Sequence, residues 1–365
     1  MERRRSRVPA AWESHLQEAD LAIQKVAVLT GGGDCPGLNA VLRAIVRRGA
    51  ERNLEIMGIR DGWEGLIEEN HERLNRARVA GILHLGGTIL GTSRLNPFAV
   101  PDGPERVLRT LARQNVAGVI AIGGEGTLSI AREMQELGVN VIGVPKTIDN
   151  DLACTDFTFG FDTAVSIATE AIDRLHSTAE SHQRCMVVEV MGRHVGWIAA
   201  YAGLAGGADV VLVPERPSSI DKVVEHVERR RRTGRRFSII VCAEGALVDL
   251  GEGAKVVAEG YDAWGHMKLG GVGPLVARAI EERTGIESRA TVLGYIQRGG
   301  SPTAWDRILA TRYGVAAADM AADGQWGKMA ALQGNRIVSV PLADATRALK
   351  TLDPAFYDLA SIFFG

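Results

Sequence analysis

Short runs of apolar, mostly β-branched residues recur along this chain, and several of them end in a glycine-rich or polar turn. The pattern is clearest at VAVLT before GGGDCPG (26–37), AGVIAIG before GEGT (117–127) and NVIGVP before KTIDND (140–151). Helical patterns separate the runs, and continuous apolar strands between helices are typical of parallel sheets covered on both faces. Open α/β sheets bind ligands at the carboxyl ends of such strands. The sequence therefore predicts an α/β fold whose site lies at these turns.

The same alternation continues through the second half of the chain. It predicts further strands at CMVVEVMG (185–192), DVVLVPE (209–215), SIIVCAEG (238–245) and ATVLGYI (290–296). Because 365 residues exceed the usual size of one compact domain, we expect two lobes, each a mainly parallel sheet between helices, with the site in the cleft. The 43 glycines are well above the average share of about 7% and cluster after the apolar runs, where backbone can approach a ligand.

Charge and cysteine usage exclude several classes of protein. Lys and Arg number 42 against 44 Asp and Glu, so no bulk attraction to nucleic acid or membrane is expected. The basic run ERRRRTGRR (228–236) is typical of the C-terminal end of a surface helix. The cysteines are far apart and lack metal-ligand spacing, which favours reduced thiols in a cytoplasmic protein: Cys35, Cys154, Cys185 and Cys242.

Neither the longest apolar stretch nor the N-terminus indicates a membrane or secreted protein. Residues 196–214 contain four glycines and Asp209, which argues against a membrane span. Residues 1–24 are basic but lack the apolar segment of a signal peptide, so we interpret them as an N-terminal extension.

Two of the glycine-rich turns are suited to phosphate, although each has a structural alternative. GGGDCPG can present backbone N–H groups and a helix N-terminus to an anion. Pro36 spoils the dinucleotide fingerprint and the P-loop lysine is missing, so a structural turn remains an alternative. The turn GGEGT adds Glu125 and Thr127, and a carboxylate beside phosphate-binding amides is what Mg²⁺ requires. A simple helix cap is the alternative there.

The segment KTIDND (146–151) points more directly to chemistry. It places two carboxylates, a hydroxyl and an ammonium within six residues at the end of a predicted strand. Phosphoryl transfer needs a base for the attacking hydroxyl, donors for the phosphoryl oxygens and a metal site. This segment can supply the first two and contribute to the third.

Taken in order, these motifs resemble those of the 6-phosphofructokinases, specifically the bacterial phosphofructokinase A family. The matching segments, from about Val26 to the C-terminus, are GGGDCPGLN, GGTILGTSR, IGGEGT, PKTIDND, SHQRCMVVEVMGRHVGW, CAEG and RATVLGYIQRGGSP. The resemblance implies an enzyme that phosphorylates the 1-hydroxyl of fructose 6-phosphate with ATP and Mg²⁺, in glycolysis. It also implies a homotetramer whose sites are shared between subunits.

The resemblance implies a role for each matching residue. Asp149 would be the general base, within a catalytic set of Asp149, Thr147, Arg94 and Arg193. The phosphoryl donor would contact Gly33, Arg94, Leu95, Gly124, Glu125, Gly126, Thr127 and Lys146, with Glu125 binding Mg²⁺. Fructose 6-phosphate would contact Thr147, Asp149, Arg184, Met191, Gly192, Arg193, Glu244, Arg289, Tyr295 and Arg298. Arg184 and Arg289 would reach it from a neighbouring subunit.

Three positions depart from the commonest bacterial pattern: Glu125 replaces Asp, Tyr295 replaces His and Lys146 replaces Gly. The chain between Glu244 and Arg289 is also longer and includes DAWGHMKLGGVG, which resembles actinobacterial and pyrophosphate-using relatives.

The donor residues are of mixed type. Gly126 is typical of ATP users and Lys146 of pyrophosphate users. An Asp at 126 would repel the α-phosphate, whereas Gly admits it, so we expect ATP, with pyrophosphate as the alternative. A catalytically silent effector-binding homologue is a remote third possibility.

The resemblance also predicts the division of the chain. Residues 25–160 plus 297–347 would form the nucleotide lobe, and 161–296 plus 348–365 the fructose 6-phosphate lobe. Arg43 and Arg47 lie one helical turn apart and, with Arg235, match arginines that hold an effector phosphate in regulated relatives. An ordinary solvated basic face explains them equally well.

Overall fold

The computed structural model describes residues 24–364, apart from 252, 256–257 and 262–266. The predicted extension therefore lies outside the described residues except for Gln24, and so does much of DAWGHMKLGGVG. The strands are β1 (Gln24–Thr30), β2 (Leu54–Ile59), β3 (His71–Leu74), β4 (Gly118–Gly123), β5 (Val141–Thr147), β6 (Phe159–Gly160), β7 (Cys185–Val190), β8 (Val210–Leu212), β9 (Ser218–Ser219), β10 (Ser238–Ala243), β11 (Val248–Asp249), β12 (Ala254–Lys255), β13 (Ala258–Tyr261), β14 (Met267–Leu269), β15 (Ser288–Val292), β16 (Lys328–Gln333) and β17 (Arg336–Pro341).

Helices follow most of these strands, as the sequence predicted. They are α1 (Leu38–Glu51), α2 (Trp63–Ile67), α3 (Gly103–Arg113), α4 (Glu125–Glu136), α5 (Phe161–His182), α6 (Trp197–Ala205), α7 (Ile220–Arg232), α8 (Val272–Thr284), α9 (Ala304–Ala322), α10 (Leu342–Ala345) and α11 (Pro354–Ser361). Short 3₁₀ helices span Pro97–Ala99 and Gly294–Arg298.

The larger sheet has the strand order β17-β16-β5-β4-β1-β2-β3, with β6 also paired to β5. Its central strands are parallel, whereas the edge strands β3 and β17 run antiparallel to their neighbours. Successive residues of β1 face opposite sides: Val26 and Val28 pack with α1 and α9, while Ala27 and Leu29 pack with α2, α3 and α4. Burial on both faces explains why β1 reads as a continuous apolar run.

The second sheet is entirely parallel, in the order β15-β7-β10-β8. One face packs against α7 and α8. The other face packs against α5 and α6, and these belong to the same hydrophobic cluster as α1 and α9 of the first sheet. The two sheets therefore share one continuous core, and the predicted α/β architecture of two mainly parallel sheets with helices is confirmed.

The C-terminal part of the chain serves both sheets. β16 and β17 extend the first sheet, whereas α11 packs on α6, where Phe356 stacks on Tyr201 with ring centroids 4.4 Å apart. The lobe boundaries expected at 160, 296 and 347 stay a prediction. Within the described part of the chain, no helix is long and apolar enough to cross a membrane.

Candidate active site

The turns after β1, β4 and β5 meet at one edge of the first sheet because these strands are parallel neighbours. They line a cavity of about 770 Å³, within the range of small-molecule sites. Across from them the cavity is lined by Arg193 and His194, which follow β7, and by Arg298. The site predicted at the carboxyl ends of the strands is thus formed between the two sheets.

The residues expected to hold the phosphoryl donor all line the cavity, and we call the part that they line the donor arm. Gly33, Gly124, Gly126, Thr127 and Lys146 all line it, as do Arg94, Leu95 and Glu125. Glu125 and Gly126 begin α4, so the helix N-terminus is directed at this space and favours an anion. Beyond them the cavity continues along residues of the loop before α3 and the first turns of α4: Asn96, Ala99, Val100, Ile130 and Glu133.

Lys146 and Arg298 fix the first glycine turn. The buried Lys146 donates from Nζ to the Gly33 carbonyl oxygen at 2.5 Å, and Arg298 donates to the Asp34 carbonyl oxygen at 3.2 Å. A Cβ at Gly33 would lie 2.7 Å from the Arg298 guanidinium, so a larger residue there would displace that side chain. Burial lowers the pKa of Lys146.

The loop that carries Asp149 is held by its own polar side chains. The Asp149 backbone N–H donates to Thr147 Oγ1 at 3.0 Å. Asn150, at φ 53° and fully buried, accepts from the Thr158 N–H at 3.1 Å through Oδ1. Asn tolerates left-handed backbone better than most residues, which explains its place at this turn.

Asp149 has the features of a general base. It lines the cavity and is 5% exposed, and its Oδ1 has no hydrogen-bond partner among the described residues. Burial raises the pKa of Asp149, while Arg298, Arg193 and Lys146 act in the opposite direction. A buried carboxylate with an unsatisfied oxygen is prepared to accept a proton from a hydroxyl group placed beside it.

The opposite wall is built on the turn after β7. Arg193 has φ 48°, which is strained for a residue other than glycine, and its N–H donates to Glu244 Oε1 at 3.0 Å. Gly192 precedes it at φ 149°, where a Cβ would lie 2.4 Å from the Val195 carbonyl oxygen. Burial and then the nearby Asp149 raise the pKa of Glu244 to about 7. This turn presents Arg193 to the cavity.

Asp151 and His194 also line the cavity, although the sequence analysis did not assign them. Asp151 Oδ1 is buried without a hydrogen-bond partner in the described structure. Burial, followed by the charge of Asp149, raises the pKa of Asp151 to about 7. The signal for Asp151 was the second carboxylate of KTIDND; His194 follows MGR directly.

Comparison with known proteins decides the family. The phosphofructokinase family model matches residues 25–321. The chain belongs to the phosphofructokinase family. The expectations of a phosphofructokinase fold and of a phosphotransferase are therefore confirmed.

Some relatives of this chain are named as pyrophosphate-dependent enzymes and others as ATP-dependent enzymes. The chain is 59% identical over 343 residues to the pyrophosphate–fructose 6-phosphate 1-phosphotransferase of Amycolatopsis methanolica, with 93% of this chain and 100% of the relative covered. It is 51% identical over 344 residues to the ATP-dependent 6-phosphofructokinase of Mycobacterium tuberculosis, with the same coverage. The crystal structure of Pichia pastoris phosphofructokinase in the T-state matches with a TM-score of 0.80 and 31% identity, over 89% of this chain and 36% of that chain.

Arg184 and Arg289 of this phosphofructokinase are placed apart from its cavity. They lie at the amino ends of β7 and β15, whereas the cavity lies at the carboxyl end of β7. Both arginines pair with Glu287, at 2.7 Å and 2.5 Å. They cannot contact a ligand in the cavity of their own chain, as expected of residues that serve a neighbouring subunit; that role stays a prediction.

Tyr295 is the most exposed of the expected substrate contacts. It is 77% exposed and, with Arg298 and Gly33, lines a smaller cavity of about 370 Å³. The sequence predicted a strand through Tyr295, but β15 ends at Val292 and Tyr295 lies in the 3₁₀ helix Gly294–Arg298. Met191 and Glu244 flank the Arg193 turn, Met191 packing against the core.

The residues present are suited to Mg²⁺. The described residues contain no group of three metal-binding side chains that could hold an ion alone. Mg²⁺ usually binds through one or two carboxylates together with substrate phosphates, and Glu125 and Asp151 both line the cavity. The unpartnered Asp151 Oδ1 supports a cation there. Glu125 accepts from Ser129 Oγ at 3.0 Å.

Proposed function

We propose that this chain transfers the γ-phosphoryl group of ATP to the 1-hydroxyl of fructose 6-phosphate, giving fructose 1,6-bisphosphate and ADP in glycolysis. The observation that carries the proposal is the buried Asp149 carboxylate, whose Oδ1 has no hydrogen-bond partner among the described residues. Asp149 lines the cavity together with the residues of the donor arm and with Arg193 and Arg298. A silent homologue would have no need of such a costly group.

Asp149 accepts the proton of the sugar 1-hydroxyl as that oxygen attacks. Thr147 and Arg94 contact the transferring phosphoryl group, and Lys146, Arg193 and Arg298 supply positive charge. The N–H groups at the start of α4 receive the donor phosphates. Positioning and charge stabilisation supply most of the rate in phosphoryl transfer, so no covalent intermediate with the protein is needed.

Glu125 and Asp151 hold Mg²⁺ in this proposal. When bound, the ion neutralises charge on the donor's terminal phosphates. The two side chains act as carboxylates, so binding requires Asp151 to be ionised.

The donor arm favours ATP. A Cβ at Gly126 would meet no atom within 4 Å in the described structure, so the space beside the helix N-terminus is open. The cavity then continues along Leu95, Val100 and Ile130, which offer an apolar surface to a nucleoside. Pyrophosphate would leave this part unfilled.

Pyrophosphate is the second candidate, because two observations favour it. Lys146 places an ammonium beside the phosphate-binding turn. Three relatives with 55–59% identity are named as pyrophosphate-dependent enzymes, whereas ATP-dependent ones are 49–51% identical.

The test is to assay purified protein with saturating fructose 6-phosphate and either donor, with Mg²⁺. We expect a higher kcat/KM with ATP. Turnover with pyrophosphate alone would replace the first candidate by the second, and no turnover with either would overturn both. Omission of Mg²⁺ should abolish activity.

The assembled enzyme is proposed to be a homotetramer with sites shared between subunits. A reducing compartment such as the cytoplasm suits it, because Cys35, Cys154, Cys185 and Cys242 are free thiols.

A further inference from the structure

A short C-terminal segment, residues 349–352, runs between the Asp149 loop and the second sheet. Its Leu349 pairs with Leu152 in an isolated bridge and also lines the cavity. The Lys350 N–H donates to the Asp151 carbonyl oxygen at 2.8 Å. This segment is thus hydrogen-bonded to the chain immediately after the proposed base.

The ammonium group of Lys350 packs against the same loop, where the residue is half-buried. Lys350 Nζ donates three hydrogen bonds, to Asn150 Oδ1 (3.0 Å), the Thr155 carbonyl oxygen (2.9 Å) and the Asp156 carbonyl oxygen (2.8 Å). Three acceptors use all the protons of one ammonium group. A charged donor makes stronger hydrogen bonds than a neutral one, so this side chain fixes the loop firmly.

The same segment is anchored to the start of α6, which follows the Arg193 turn. The Lys350 carbonyl oxygen accepts from Trp197 Nε1 at 3.0 Å, and its ammonium lies 5.3 Å from the centre of the Trp197 ring. Glu215 Oε1 accepts both from the Leu352 N–H at 2.9 Å and from the Gly196 N–H at 3.0 Å. Gly196 and Trp197 lie three and four positions after Arg193 in the sequence.

These contacts bear on the reacting groups through Asn150. Asn150 adjoins Asp149 and holds a left-handed backbone conformation, so its fixed amide determines the direction in which the loop leaves Asp149. Its Oδ1 accepts only from the Thr158 N–H and from Lys350 within the described structure. Without Lys350, the Asn150 side chain keeps, among the described residues, only the Thr158 N–H on Oδ1 and a 3.4 Å hydrogen bond from Nδ2 to the Asp156 carbonyl oxygen.

We propose that Lys350 is a positioning residue that sets the Asp149 carboxylate against the Arg193 turn, through Asn150 on one side and Trp197 on the other. The inference rests on the proposed function of Asp149. Lys350 is not among the described residues that line the cavity, so it acts on the transferring atoms only through its neighbours.

The test is Lys350→Met, which keeps a similar length and apolar stem but removes the three donors. A small misplacement of a catalytic group costs up to about 100-fold in rate, so we expect kcat to fall about 10- to 100-fold. The dissociation constant of fructose 6-phosphate, measured by calorimetry without donor, should change less than about twofold, since the sugar contacts are intact. Lys222→Met, at an exposed lysine of α7, is the matched control and should behave as wild type.

Each outcome decides the inference. A folded Lys350→Met variant with wild-type kcat overturns it, as does an equal loss of substrate binding and kcat, which indicates general loosening. If Lys350→Met does not fold, Lys350→Gln, which retains two hydrogen-bond donors, is measured by the same criteria. Wild-type protein that is inactive with both ATP and pyrophosphate would instead overturn the proposed function.

Discussion

Asp149 lies within reach of three cationic side chains, yet burial dominates and raises the pKa of its carboxyl group. Asp149→Asn keeps the shape of the side chain and removes the proton acceptor. Turnover should fall by about 10²- to 10⁴-fold, the usual contribution of general base catalysis. Fructose 6-phosphate affinity, measured by calorimetry, should change far less. Near wild-type turnover in this variant would show that the base lies elsewhere.

Gly126 tests the assignment of the donor arm. Because a Cβ there meets open space, Gly126→Asp should fold normally and place a carboxylate beside the α-phosphate. We expect kcat/KM for ATP to collapse, since like charges repel more strongly in a confined site than in water. Any increase in kcat/KM for pyrophosphate would measure how far Gly126 alone separates this chain from a pyrophosphate-dependent enzyme. Unchanged ATP efficiency would refute the assignment.

Lys146→Gly provides the reciprocal comparison. It removes an ammonium that is typical of pyrophosphate users, so ATP should remain a donor with an altered KM. The measurement is kcat/KM for both donors in wild type and variant. An exclusive loss of ATP use would contradict the expectation.

Asp151 links metal binding to stability. Burial raises its pKa to about 7, above the ordinary value of 3.8 for an Asp carboxyl group, so between about pH 4 and 7 the folded chain holds a proton that the unfolded chain has lost. Stability contributed by this group is therefore lost as pH rises through that window.

Without Mg²⁺ or donor, Asp151→Asn should raise Tm at pH 8 and have a smaller effect at pH 5. In the kinase assay the same variant should lose activity. A Tm difference that shrinks from pH 5 to pH 8 would contradict this.

At the scale of elements, the start of α9 joins the two halves of the fold. Thr303 Oγ1 accepts from the Asp306 N–H at 3.2 Å and donates to Asp162 Oδ2 on α5 at 2.6 Å. Thr303→Ala should therefore reduce the free energy of unfolding by about 1–2 kcal/mol, as expected for loss of an N-cap. Thr303→Ser, which keeps the hydroxyl, is the control in denaturant unfolding. Equal losses in both variants would argue against the cap.

Elements could be predicted from the sequence where one local pattern determined them. The runs at β1, β4 and β5 are apolar on both faces, and each ends in a turn whose residues favour ligand binding. The strand expected through Tyr295 was wrong because ATVLGYI continues its apolar character past Val292, where the backbone turns into a 3₁₀ helix. The contacts of Lys350 depend on side chains 153 to 200 positions away, which no local pattern encodes.

At the scale of the whole molecule, shared sites allow a complementation test. Asp149→Asn and Arg289→Ala should each be nearly inactive alone. If Arg289 serves a neighbouring subunit, mixed oligomers contain sites that pair an intact Asp149 with an intact Arg289. Co-expression should then restore a substantial fraction of wild-type activity, measured on purified hybrids. The activity of the hybrids should stay at the level of the single variants if Asp149 and Arg289 of each site come from the same chain.

Sedimentation tests the assembly itself. We expect a tetramer at assay concentration. A fully active monomer would contradict the proposed roles of Arg184 and Arg289, because neither lies at the cavity of its own chain.

The placement of residues 349–352 has a consequence for how the enzyme is made. Every cavity-lining residue that the structure describes, except Leu349, precedes this segment by at least fifty positions. The hydrogen-bond donors of Lys350, which secure the Asp149 loop, are therefore synthesised after all of these residues. A polypeptide interrupted before residue 349 would carry the catalytic side chains without the Lys350 contacts, and its kcat should fall at least as far as that of Lys350→Met.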